Sequence, residues 1–179
     1  LPIIGNVARY DKKKDHVNLI KALSLIRKKN INFICTLVGS NIDKNNKALV
    51  SEIKRLNLLK NIKLLGQNNN ISQVMNGLDI FIQSSSYGEG FPNVVAESMA
   101  CGTPCVVTNV GDASLIVDKT GWIVPPNNSI KLSKAIEKAI NEIGTNNWKK
   151  RCHVGRLRIK NNFNIIKMLN LYNRVWSQI

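Results

Sequence analysis

The chain has 179 residues, enough for one domain that buries about 70% of its unfolded surface. Its 26 lysines and arginines against 11 acidic residues give a formal net charge of +15. No run approaches the ~20 apolar residues of a membrane span, no signal peptide is visible, and four cysteines lacking CxxC or His/Cys spacing argue against a disulfide framework or a zinc module.

Short apolar runs alternate with helical patterns from end to end. Ile3–Ala8, Phe33–Val38, Ile62–Leu65, Ile80–Gln83, Val106–Thr108 and Trp122–Val124 read as strands. They show little polar alternation, as expected where a parallel sheet is covered on both faces. Helical patterns lie between them at His16–Lys29, Asn45–Leu56, Ile71–Gly77, Asn93–Cys101 and Ser129–Ile143, with Asp15 and Ser129 as expected N-caps. This alternation predicts an α/β domain, a doubly wound and Rossmann-like parallel sheet of about six strands. After Gly144 the pattern turns wholly helical, near Thr145–Lys160 and Asn164–Trp176. Residues 1–144 are therefore expected to form the core, and residues 145–179 a pair of closing helices. Cys35 and Cys105 fall in strand runs, where a free cysteine acts as a small hydrophobe, and a reducing cytoplasm is the expected setting. Because the chain starts at Leu1 directly on a strand pattern, it is expected to be part of a longer protein.

In such a sheet, ligands bind at the C-terminal ends of the strands. The loops there carry Arg9 to Lys14, Gly39-Ser40, Gly66-Gln67, Ser84 to Phe91 and Gly111-Asp112. An arginine fork and a lysine point charge, Arg9 and Lys14, suit a diphosphate, although Lys12 to Lys14 also reads as a solvated surface run. No P-loop or GxGxxG fingerprint is present, which argues against a kinase or a nicotinamide dehydrogenase.

The stretch Glu89-Gly90-Phe91-Pro92-Asn93-Val94-Val95-Ala96-Glu97 reads as a turn running into a helix. Pro92 suits a first helical turn, and Glu89 stands just ahead of an N-terminus whose free N–H groups attract phosphate. Val94, Val95, Ala96, Met99, Ala100 and Cys101 make this helix apolar almost all round, so it is expected to be buried, with Glu97 inside it. A buried carboxylate needs a partner, either ligand hydroxyls or a lysine of a neighbouring helix. Asn93 lies one turn before Glu97 on the same face. Two acceptors for sugar hydroxyls around a phosphate site suggest a nucleotide-sugar pocket.

Together these segments resemble the C-terminal, donor-binding half of glycosyltransferase family 4, the group 1 glycosyltransferases of the GT-B fold. Gly5 to His16 looks like the family's first strand and loop, Leu37-Val38-Gly39 and Leu64-Leu65-Gly66 like its next landmarks, and Ser84 to Pro104 like its EX7E stretch and following turn. Gly121 to Pro126 is similar to its later strand. The resemblance implies catalytic roles for Arg9, Lys14 and Glu89. The first two would hold the donor diphosphate, and Glu89 would accept from the sugar hydroxyls. It further implies donor contacts from Gly66, Gln67, Gly90, Phe91, Pro92, Asn93, Val94 and Glu97, with Glu97 at the ribose and Gln67 near the base. It implies retention of configuration, no cofactor or bound metal, a nucleotide diphosphate-sugar as substrate (UDP-sugar favoured over GDP-sugar), and an N-terminal acceptor domain as partner. Surface-polysaccharide synthesis on a saccharide or lipid-linked acceptor follows from the same resemblance. The alternative is a non-catalytic nucleotide-binding domain of the same fold.

Two surface features are left over. Lys149, Lys150, Arg151, Arg156, Arg158 and Lys160 share one helical pattern and read as a solvated face, or as a contact with nucleic acid or with an anionic membrane at the inner face of the cytoplasmic membrane. No helix-turn-helix, zinc-finger or RNP-like signal supports nucleic acid. Phe163, Leu169, Leu171, Tyr172, Val175 and Trp176 give the last helix an apolar excess, expected either at an interface with the absent domain or against its own domain.

Overall fold

The computed structural model describes residues 1–177, so the last two residues of the expected closing segment, Gln178 and Ile179, lie outside the described residues. Its strands are Ile3–Val7 (β1), Ile34–Val38 (β2), Ile62–Leu64 (β3), Ile80–Gln83 (β4), Cys105–Thr108 (β5) and Trp122–Val124 (β6). They form one parallel sheet in the order β3-β2-β1-β4-β5-β6. The strand order reverses direction between β1 and β4, so the loops leaving these two strands diverge and open a crevice at the sheet's C-terminal edge.

The helices are His16–Lys28 (α1), Lys47–Arg55 (α2), Ile71–Asn76 (α3), Asn93–Ala100 (α4), Ala113–Val117 (α5), Ser129–Glu142 (α6), Asn146–Asn162 (α7) and Ile165–Trp176 (α8). Each strand sends alternate side chains to opposite faces, and two separate cores result. Ile4, Leu37, Ile80, Ile82 and Val106 meet Leu19, Leu23 and Ile26 of α1 and Leu132 and Ile136 of α6. Phe81, Cys105 and Val107 meet Met75 of α3, Val95 and Met99 of α4, Ile116 of α5 and Ile159 of α7. Burying each of these large side chains stabilises the fold by about 1.5–3 kcal/mol. Cys105 is a core residue whose burial pushes its thiol up to about 12, so it stays protonated.

The structure departs from the expected elements in a few places. The helix after Asn128 is capped by Asn128 itself, whose side chain accepts from Lys131 N–H at 2.9 Å, and Ser129 becomes its first residue. Helix α5 is unforeseen, because five residues are too few to show a helical period. At the sheet's rim Ile3 and Ile123 are exposed. The basic run on α7 is not one solvated face. Arg151 bonds Glu142 and the Lys119 carbonyl and lies 4.4 Å from the centroid of a Trp122 ring. Arg158 donates to the carbonyls of Ile116 and Leu115. These two arginines fasten α7 to the core, and Lys149, Lys150, Arg156 and Lys160 remain exposed. None of the described helices is long and apolar enough to cross a membrane.

His16 opens α1 in the interior, 2% exposed, with its ring 5.5 Å from that of Tyr10. Neither ring nitrogen has a hydrogen-bond partner among the described residues. Burial, with the charge of Lys14 adding to it and that of Asp11 opposing it, pulls the imidazole down to about 4. The unfolded chain therefore binds a proton that the folded one refuses between about pH 6.5 and that value. Stability from this site is complete above the unfolded pKa and is lost as pH falls toward 4. Urea unfolding at about pH 7 and about pH 5 is expected to show a loss of about 2 kcal/mol that His16→Phe does not show.

Candidate functional site

The site is built where the loops after β1 and β4 meet. Past Val7 the chain stays tied to the neighbouring strand, with Ala8 N–H donating to Val38 O and Tyr10 N–H to Ser40 O. Asp11 then caps a short 3-10 turn, Lys12–Lys14, by accepting from Lys13 N–H at 2.8 Å. Asp15 follows at φ 46°, a left-handed conformation that aspartate tolerates better than most residues, and its side chain accepts from Asn18 N–H to start α1. Two aspartate caps thus hold Lys14 from either side.

The β4 loop is fastened against this turn. Ser84 Oγ donates to Lys14 O at 2.8 Å, and Ser86 N–H donates to Lys13 O at 2.7 Å. The result is an ion pair between Lys14 Nζ and Glu89 Oε1 at 2.6 Å, with the side chains 23% and 10% exposed. Ser85 Oγ donates to the same Glu89 oxygen. Burial alone would raise the Glu89 carboxyl, but the bonds from Lys14 and Ser85, the Lys14 charge and the neighbouring Gln83 amide outweigh it and hold the group below its ordinary value.

Gly111 makes this arrangement possible. At φ 56° it lies so near the turn that a Cβ would come 2.4 Å from the carbonyl oxygens of both Glu89 and Gly90, while Asp112 N–H donates to Gly90 O at 2.8 Å. The loop after β5 therefore braces the β4 loop through backbone alone. Beyond the brace, Phe91 is exposed with its ring 5.5 Å from that of Phe163, and Pro92 precedes α4 in an extended conformation. Among the described residues no side chain caps α4, so its leading N–H groups beside Asn93 and Val94 are open to an anion.

Other expected residues are placed differently. Glu97 is exposed and makes no ion pair among the described residues. Only Val95, Ser98 and Met99 of α4 are buried, so the helix is covered on one face and the expectation of a buried carboxylate needing a partner is corrected. Asn93 and Glu97 do share the solvent-facing side of α4. Arg9 is also outward, its side chain 64% exposed and 3.4 Å from Asp11, a geometry that contributes little to stability. Gly66 turns at φ 67° after β3, accepts from Gly39 N–H at 2.8 Å and leaves Gln67 exposed at the sheet's C-terminal edge.

Sequence reading missed a group behind Glu89. Gln83 accepts from Thr108 N–H at 3.1 Å, Thr108 Oγ1 lies 2.6 Å from Ser85 O, and all three residues are buried. The signal was a glutamine closing an otherwise apolar strand run, Ile80-Phe81-Ile82-Gln83.

Two variants test the scaffold. Gly111→Ala is expected to lower stability by about 1–3 kcal/mol, because its Cβ must displace backbone. Lys14→Met is expected to cost a similar amount by leaving Glu89 without its cation. The depressed Glu89 pKa contributes stability above the ordinary carboxylate range that is lost as pH falls through the folded value. In Lys14→Met that acid loss should begin at higher pH in the same urea titrations.

The chain matches the family model for glycosyl transferases group 1 over residues 1–155. It is 36% identical over 106 residues to the N-acetylgalactosamine-N,N'-diacetylbacillosaminyl-diphospho-undecaprenol 4-alpha-N-acetylgalactosaminyltransferase of Campylobacter jejuni, a match covering 59% of this chain and 27% of that protein. It is 29% identical over 169 residues to the capsular polysaccharide biosynthesis glycosyltransferase CapM of Staphylococcus aureus, covering 90% of this chain and 42% of that one. The crystal structure of HepE from Anabaena in complex with UDP aligns with a TM-score of 0.87 at 25% identity, over 99% of this chain and 49% of that chain. The chain thus spans less than half the length of these relatives. Its sheet with closing helices is consistent with one half of a GT-B fold, and the family match runs from β1 into α7. By that match this chain belongs to the glycosyl transferases group 1 family.

Proposed function

We propose that the chain is the C-terminal, donor-binding half of a retaining glycosyltransferase that moves a sugar from a nucleotide diphosphate-sugar to a saccharide or lipid-linked acceptor. The observation that carries this reading is the Lys14–Glu89 ion pair at the strand-order switch, beside the uncapped start of α4. A cation, an oriented carboxylate and free helix N–H groups within one crevice match the diphosphate and sugar of such a donor. Lys14 turns from Glu89 to the diphosphate, Arg9 swings in from solvent to the same group, and Glu89 accepts from the sugar hydroxyls. Glu97 accepts from the ribose, and Gln67 lies toward the base. As the glycosidic bond breaks, negative charge gathers on the departing diphosphate, where Lys14 and Arg9 oppose it. Removal of a comparable preorganised group costs enzymes about 10²–10³ in rate.

UDP is favoured as the nucleotide because the HepE relative was solved with it. Surface-polysaccharide synthesis is favoured because the CapM relative is named for capsular polysaccharide biosynthesis. An N-terminal domain would supply the acceptor site. Ile165, Leu169, Leu171, Tyr172, Val175 and Trp176 of α8 are all exposed, as expected of a face that this domain covers. The exposed Lys149, Arg156 and Lys160 would hold the protein at an anionic membrane where a diphospho-undecaprenol acceptor resides.

Calorimetric titration with UDP, GDP and ADP tests the donor reading. Binding of UDP that weakens at least about tenfold in a Lys14→Ala, Glu97→Ala double variant is expected. Binding unaffected by the double variant would place the nucleotide elsewhere. The chain by itself is expected to show no sugar transfer, and robust turnover would remove the need for a partner domain. Partitioning onto phosphatidylglycerol vesicles but not phosphatidylcholine vesicles at low salt checks the membrane contact.

A further inference from the structure

Glu89 is held from behind by buried polar groups that the proposed donor chemistry does not use. Gln83 ends β4, Ser85 follows two residues later, and Thr108 ends β5. Their exposures are 3%, 1% and 0%. Gln83 Oε1 accepts from the Thr108 backbone N–H at 3.1 Å and lies 2.9 Å from the Thr108 hydroxyl. The backbone N–H fixes the amide orientation, since the flipped amide would set its NH2 group against another donor. The Thr108 hydroxyl has one proton to share between Gln83 Oε1 and Ser85 O, the latter at 2.6 Å. Thr108 therefore joins the end of β4 to the loop that carries Ser85.

With Oε1 turned to Thr108, Gln83 Nε2 points the other way. It is buried without a hydrogen-bond partner among the described residues. A buried amide donor left unmatched costs about 1–3 kcal/mol, so keeping Gln83 at this position requires a reason. Glu89 Oε1 takes both the Ser85 hydroxyl and Lys14 Nζ. Among the described residues no donor meets hydrogen-bond geometry at Oε2.

We propose that Gln83 and Thr108 brace Ser85 in a positioning relay that pins Glu89 through the Ser85 bond to Oε1 and presents Oε2 to a ligand hydroxyl. This rests on the reading of Glu89 as acceptor for the donor sugar. Lys14 must serve a diphosphate, and once it turns away Glu89 loses its cation. Ser85, braced by Thr108 and Gln83, stays with the carboxylate, so it keeps its orientation while the lysine moves. The relay thus acts on recognition of the sugar, and the nucleotide alone gains nothing from it.

NMR titration of isotope-labelled glutamate carboxyls in the intact chain reads the relay without any ligand. Ser85→Ala and Gln83→Met are expected to raise the titration midpoint of Glu89, and Ser85→Thr to restore it. Thr108→Val should act like Gln83→Met although it does not touch Glu89, and Thr108→Ser should not. Calorimetry with UDP and with UDP-glucose, UDP-galactose and UDP-N-acetylglucosamine supplies the second readout. The variants are expected to lose about tenfold in affinity for the preferred UDP-sugar while UDP affinity stays within about twofold. A Glu89 midpoint unmoved in both Ser85→Ala and Gln83→Met overturns the relay, and equal losses for UDP and UDP-sugar overturn its role in sugar recognition. Wild type that binds no nucleotide would refute the donor reading, and the carboxyl titration would still decide the relay. Should Gln83→Met not fold, the Ser85→Ala and Ser85→Thr pair carries the test.

Discussion

An ion pair between residues 75 positions apart, Lys14 and Glu89, ties the loop after β1 to the loop after β4. These loops leave the sheet where its strand order reverses, so without a tie they would diverge and the crevice between them would have no fixed shape. The tie is cooperative with its backbone. Ser84 and Ser86 bond the Lys13–Lys14 carbonyls, and the Gly111 turn presses on the Glu89–Gly90 carbonyls from the opposite side. A partly buried pair of this kind adds little to net stability over an apolar substitute. What the pair does contribute is orientation, a carboxylate and an ammonium held facing one cleft.

The two cores divide the load around that cleft. On one face α1 and α6 cover β1, β2 and the even side of β4, and on the other α3, α4, α5 and α7 cover Phe81, Cys105 and Val107. Helix α4 belongs to the second core through Val95 and Met99, which sets its N-terminus at the crevice and turns Asn93 and Glu97 outward. Helix α7 is clamped to the same core by Arg151 and Arg158. Charges that composition alone would place on a uniform basic surface are thus partly consumed as fasteners, leaving a narrower exposed set. Helix α8 has no buried residue at all, so its apolar side chains are unaccounted for by this domain's own packing.

Much of this was legible in the residues. Unbroken apolar strand runs, helical periods between them and special residues at successive strand ends identified the parallel sheet and the edge of the candidate site, because periodicity and turn chemistry are local properties of the chain. Lys14 and Glu89 were each singled out by their motifs. Their contact with each other was not, because it depends on strand order and loop closure across the sheet. Glu97 shows the opposite failure. Apolar neighbours in sequence suggested burial, yet only one face of α4 meets the core, and which face does so is decided by packing.

The sequence by itself determined most of the elements, the fold class and the loops of the candidate site, since these follow from side-chain pattern and backbone preference within a few residues. Tertiary structure alone decided that Gln83, Ser85 and Thr108 cluster beneath the Glu89 loop, that His16 is enclosed without hydrogen-bond partners among the described residues, and that two arginines of α7 are structural. Each of those outcomes depends on hydrogen bonds and burial between segments far apart in the chain, where no local pattern can register them.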